Sequence, residues 1–188
     1  MSTTFTHLVV PISMGLALGT RTITPRLIGL GCLLSILPDI DVIGFFNGIS
    51  YHSPYGHRGF THSIAFAAVC GGLVTMMHHK LKAKPIVTFL FAAFSVLSHG
   101  LMDSMTYGGL GIAFYWPLSD NRHFLPWRPL PVPTIGIRHF FTYWGWYVFK
   151  TEMFRVWLPL IATALAFWSI RSGIRLLRGV RQPGSGEI

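Results

Sequence analysis

Two stretches of this sequence place histidine and aspartate where their side chains could share a cation. In LSHGLMDSMTYGG, residues 97–109, His99 and Asp103 are four apart in a helical context, so both project from one helix face. They could bind one ion or two neighbouring ions, or simply hydrogen-bond to one another. In GHRGFTHS, residues 56–63, His57 and His62 are five apart. Gly56 and Gly59 let the backbone turn sharply there, and Thr61 could cap a helix beginning beside it. His62 would then sit on the first helical turn, where either ring nitrogen could ligate a metal. Arg58 is always cationic and cannot be a ligand; its fork suits a phosphate or a nearby carboxylate.

A third motif, LPDID, carries Asp39 and Asp41 after Pro38. Two residues apart in an extended turn, these carboxylates would point in different directions. One of them could cap the following segment. A cation explains the pair better, because like charges near a membrane need compensation. Mixed His and Asp donors suit Zn²⁺ and also admit Mn²⁺ or Mg²⁺. The remaining histidines carry less: His78 and His79 abut Lys80 at a helix end, and His52, His123 and His139 lie on loops with nothing to fix them. Glu152 is placed to pair with Arg155 at i, i+3. Nucleophilic catalysis has no support, since there is no GxSxG elbow and neither Cys32 nor Cys70 has an activating histidine.

The elements that position these residues are read from composition. Of 188 residues, 51% are hydrophobic and 11% charged, against roughly 25% charged in soluble proteins. The chain therefore reads as an all-α, polytopic helical membrane protein with about four to five membrane-associated helices. Fifteen basic and six acidic residues give a net charge of +9, but the cations sit at the ends of apolar segments. That placement fits the lipid bilayer as partner, and no nucleic acid is expected.

Apolar segments fall at about 5–20, 26–38, 60–79, 85–106 and 153–171. A crossing needs roughly 20 residues, which the last three meet; the first two, with Pro38 as the stop, read as a partly inserted hairpin. Between 107 and 152 lies a long interfacial loop rich in Pro and Trp, its prolines excluding a continuous helix. Trp116, Trp127, Trp144 and Trp146 suit the membrane interface. Residues 1–181 form one helical domain, and 182–188 read as a disordered tail. Lys80, Lys82 and Lys84 together with Arg171, Arg175, Arg178 and Arg181 place the C-terminus in the cytoplasm. Threading the segments in that sense brings His7, Asp39, Asp41, His57, His62, His99 and Asp103 to the outer face.

His7 in the first helix, LPDID, HRGFTHS and SHGLMDSMTYGG, in that order, resemble the YdjM family of bacterial inner-membrane proteins, described as metal-dependent hydrolases. The resemblance covers most of residues 1–120. That family is in turn distantly similar to zinc-dependent phospholipase C and nuclease P1, all-helical enzymes whose His and Asp side chains hold a metal cluster. The resemblance implies metal roles for His7, Asp39, His57, His62, His99 and Asp103. The late HxxxE ligand pair of the soluble enzymes has no counterpart here.

The expected function is membrane-bound, metal-dependent hydrolysis of a phosphoester, with a site at headgroup depth pointing to a phospholipid as one candidate substrate. Asp41 could act as base and Arg58 could steady an anionic substrate. Two rivals belong to other classes. A transporter would place its ionisable residues near the midplane, whereas these lie at helix ends; a non-catalytic protein could use the ion only to staple short helices together.

Overall fold

The computed structural model describes residues 2–133, 138 and 141–180; the expected tail and His139 lie outside them. Helices dominate, and no strand forms among the described residues. Helix α1 spans Thr4–Leu18, and α2 spans Pro25–Ile36. The start of α2 is encoded locally: Thr24 Oγ1 accepts from the Leu27 N–H at 3.3 Å, and Pro25 occupies the first turn, where a missing N–H costs nothing.

Pro38 was expected to stop this segment. Instead the chain tightens into a 3₁₀ turn, Leu37–Asp41, and runs on as α3, Val42–Phe46. Pro38 stands in the first turn of the 3₁₀ piece, where proline is tolerated. Pro25–Phe46 is thus a 22-residue element long and apolar enough to cross a membrane, longer than the short arm expected, and it packs against α1.

The third segment departs in the other direction. Its helix, α4, covers only Ile64–Thr75, because Ser63 and not Thr61 is the cap: Ser63 Oγ accepts from Phe66 N–H at 3.0 Å. A short α5, His78–Leu81, follows, and then α6, Pro85–Ser104, which at 20 residues is of spanning length. Helix also begins inside the stretch expected to be loop. The last described proline before it is Pro133, and Thr142 then caps α7, Tyr143–Glu152, accepting from Gly145 N–H at 3.2 Å. A π-helical turn, Met153–Trp157, joins α7 to α8, Leu158–Val180. Tyr143–Leu177 is the third element able to span, and α1 and α4 are shorter apolar helices.

Contacts define two ends. At one, Arg26 Nη1 donates to the Lys80 carbonyl, Thr24 Oγ1 to that of Leu81, and Arg171 to that of Leu16. At the other, the first turn of α1, the end of α2, the start of α4, the end of α6 and Glu152 converge. Leu34, Ala67, Cys70, Ala92 and Val96 fill the space between α2, α4 and α6, and Ile23, Leu27, Leu81 and Phe91 form a second cluster at the basic end. The segment after α6 folds back over the other end: Leu125 N–H donates to the Ser104 carbonyl, Ala113 N–H to Arg58, and Ile64 N–H to Phe114. Trp127, Trp144 and Trp146 are exposed, as interface residues would be, while Trp116 packs on Tyr55 and Phe60.

Candidate metal centre

The end of α2 and the end of α6 meet through His99. Its Nδ1 lies 2.7 Å from the Ser35 carbonyl oxygen, which can only accept, so Nδ1 carries the proton. Pro38 explains why that carbonyl is available: in 3₁₀ geometry it would look to the N–H of residue 38, and proline has none. Nε2 of His99 faces Asp39 Oδ1 at 3.2 Å, within hydrogen-bond reach, and Asp103 Oδ2 at 4.0 Å. A neutral ring, its proton on Nδ1, would turn a lone pair on these carboxylates, and such an arrangement needs a positive charge among them.

His62 completes the group. Donor atoms of Asp39, His62, His99 and Asp103 all lie within 4.8 Å of one another. His62 Nδ1 is 3.2 Å from Asp41 Oδ2 and 3.0 Å from Thr61 Oγ1, while its buried Nε2 has no hydrogen-bond partner among the described residues. Burial pushes the pKa of this imidazole below the ordinary histidine value, which keeps it neutral and its lone pair available. Two imidazole nitrogens and two carboxylates, mutually close, fit a divalent cation of the Zn²⁺, Mn²⁺ or Mg²⁺ kind.

Asp41, His57 and His62 also lie close together, but hydrogen bonds occupy this group. Asp41 Oδ1 is 2.7 Å from His57 Nδ1, and Oδ2 accepts from Thr61 Oγ1 at 2.7 Å and from the Arg58 N–H at 3.2 Å. Two donors on one small ion, each about 2.0–2.1 Å from it, stand roughly 3 Å or more apart. The 2.7 Å separation is a hydrogen bond with no room for an ion between. Asp41 thus orients His57 and His62 through their Nδ1 atoms, an arrangement that fixes which nitrogen each ring offers. Asp39 and Asp41 do point in different directions, as their spacing implied, from a 3₁₀ turn in place of an extended one.

His7 is buried beside this group, outside the four close donors. Its ring stacks on His99 with centroids 3.7 Å apart, and its Nε2 is 3.0 Å from Ser2 Oγ and 3.6 Å from Asp103 Oδ1. Arg58 is also buried. Its Nη1 donates to the carbonyls of Gly108 and Leu110 at 3.0 and 2.7 Å, its Nη2 to Thr106 Oγ1 at 3.2 Å, and its Nε stands 3.5 Å from Asp103 Oδ2. The fork is therefore turned into the chain. The positive φ of the motif falls on Arg58 itself, at 68°, while Gly59 serves close approach, since a Cβ there would stand 2.8 Å from the Gly56 carbonyl oxygen.

Several participants carry no distinctive sequence signal. Ser2 N–H donates to Asp103 Oδ1 at 2.7 Å. Glu152 does not pair with Arg155, whose Nη1 goes to the Pro129 carbonyl. Its carboxylate accepts instead from Thr3 N–H, Thr3 Oγ1 and Thr6 Oγ1, which ties α7 to the first turn of α1. The loop histidines His52 and His123 are exposed and lie apart from the centre.

Over residues 1–175 the chain matches the family described as YdjM inner membrane protein. It is 40% identical over 173 residues to the inner membrane protein YbcI of Escherichia coli strain K12, covering 91% of this chain and 100% of that relative. No solved structure matches. A match across nearly the whole chain makes this an inner membrane protein that belongs to the YdjM family.

Proposed function

We propose that the chain is a membrane-bound, metal-dependent hydrolase of a phosphoester, a lipid phosphoester being the substrate class favoured by a centre at one end of the spanning helices. The observation that carries this reading is the convergence of four ligand atoms within 4.8 Å: His99 Nε2 facing Asp39 and Asp103, with the unpartnered His62 Nε2 beside them. Asp39, His62, His99 and Asp103 would hold the ion, with His7 stacked behind His99. A divalent cation in such a setting supplies Lewis acidity toward a phosphoryl oxygen and acidifies water at neutral pH. Asp41 acts through His57, holding the proton on Nδ1 so that Nε2 is the atom able to take a proton from an attacking water. The centre faces the periplasmic side and the C-terminus is cytoplasmic, a reading supported by the basic residues at the opposite end.

A second reading, an ion that staples the helix ends without turnover, is favoured by the near-complete burial of His62, His99 and Asp103. Purified protein in detergent, assayed on phospholipids and simple phosphodiesters, separates the two. The hydrolase reading expects metal-dependent turnover that His57→Gln lowers by about 10²-fold or more with metal content intact. Absence of turnover across the panel, in protein that holds its metal and loses its fold when stripped, leaves the structural ion.

A further inference from the structure

We propose that a groove on the lipid-facing side of α6 holds one anionic phospholipid, an acyl chain lying between α1 and α4 and the phosphate resting at the basic end of the bundle. This site neither uses nor requires the metal centre. The groove has a volume of about 540 Å³, within the roughly 300–1,000 Å³ usual for small-ligand sites. Leu90 and Phe94 of α6 form its floor, with Met14 and Leu18 of α1 on one side and Ile64 and Ala68 of α4 on the other. Leu18, Ile64, Leu90 and Phe94 are all exposed, although α6 is of spanning length. In a membrane, hydrocarbon is therefore what fills the space.

Length and charge select the occupant. Along α6 the lining runs from Val87 to Leu97, about 15 Å at 1.5 Å per residue. That is half of a hydrocarbon core about 30 Å thick, the depth of one leaflet. Val87 is the third residue of α6, so the groove lies in the leaflet of the basic end. Thr22 and Ile23 line it there. Arg21 immediately precedes them, and Lys84 immediately precedes α6. Both cations are exposed, and neither meets a carboxylate among the described residues. Arg26 and Arg171, by contrast, are committed to the carbonyls of Lys80 and Leu16. Asp39, Asp41, Asp103 and Glu152 stand at the other end, as does Asp120, two residues before the Arg122 that donates to the His57 carbonyl. A phosphate at the mouth of the groove thus meets cations with no acid beside them, the setting in which basic clusters at helix ends hold anionic headgroups. A second copy of the chain brings no acid to these cations, because its described carboxylates are gathered at its own opposite end.

The test counts phospholipid held by the full chain in mild detergent, by native mass spectrometry, after exposure to equal amounts of phosphatidylglycerol and phosphatidylcholine. One phosphatidylglycerol per wild-type chain is expected. Arg21→Gln combined with Lys84→Gln should weaken its binding about tenfold or more and leave phosphatidylcholine unchanged, since two cations beside the phosphate have been removed. Ala68→Trp, which puts an indole into the groove, should lower retention comparably, while Ile170→Trp, at an exposed position of α8, should not. Equal retention of the two lipids, or retention untouched by the paired charge substitutions, would overturn the proposal. So would a wild-type dimer that Ala68→Trp dissociates, which would put a second copy in the groove. Arg21 and Lys84 are exposed and outside the helices, so the paired variant is expected to keep its fold; if melting shows Ala68→Trp to be unfolded, that pair decides alone.

Discussion

His99 shows how a single imidazole is committed once its surroundings are fixed. The Ser35 carbonyl takes the Nδ1 proton, and Nε2 has only carboxylate oxygens in view. Asp41 does the same for His57 and His62 from the other side, with its oxygens accepting from Thr61 and Arg58 as well. Asp41→Asn keeps the shape but puts an NH₂ against one of these donors. It is expected to weaken metal affinity 10- to 100-fold, the usual cost of losing a partner that orients a ligand, as measured by competition with a chromophoric chelator. His99→Ala and Asp103→Ala should deplete the metal, whereas His79→Ala, at the basic end, should not. The His99 and Asp103 pair is legible in the sequence because helical spacing alone puts both on one face. The Ser35 carbonyl is not, since a backbone acceptor has no residue type to announce it; only Pro38, which removes its 3₁₀ partner, hints at it.

Elements begin and end for reasons that single residues supply, and a choice between two adjacent residues can reassign both. Thr61 and Ser63 are each plausible caps for α4. Ser63 takes the role through Phe66, which releases Thr61 to donate to Asp41. Ser63→Ala should therefore lower thermal stability by about 1 kcal/mol and leave metal affinity near wild type, while Thr61→Ala should do the reverse in emphasis. Melting and ion titration on the same two variants read both effects. The number of apolar segments and the break after α6 were legible from hydropathy. The length of α4 and the extension of α2 through Pro38 were not, because both depend on which turn type a proline or serine meets in three dimensions. Helix α7 was hidden for a related reason: its aromatic sequence, YWGWYVFKTE, reads as interface loop until Thr142 is seen to cap it.

Across the whole molecule, the carboxylates gather at one end, with Arg58 buried among them. Asp39, Asp41, Asp103 and Glu152 are drawn to one end, whereas Arg26, Lys80 and Arg171 mark the other. A periplasm-only reporter appended to the C-terminus is expected to be inactive, and a cytoplasm-only reporter active; the opposite result would turn the centre inward. Glu152 ties α7 to the first turn of α1 at the metal-centre end, so Glu152→Gln, which keeps the volume and loses the charge-assisted bonds to Thr3 and Thr6, should cost about 1.5–3 kcal/mol in detergent melts. The burial of His62, His99 and Asp103 at 2% exposure or less also bears on time as well as on energy. No chelator can reach donors so enclosed until the segments over them part. Metal loss should then run at the pace of that opening, with a rate that levels off as chelator concentration rises and climbs steeply with temperature, so that the centre behaves as a slow clock for the breathing of its own cover.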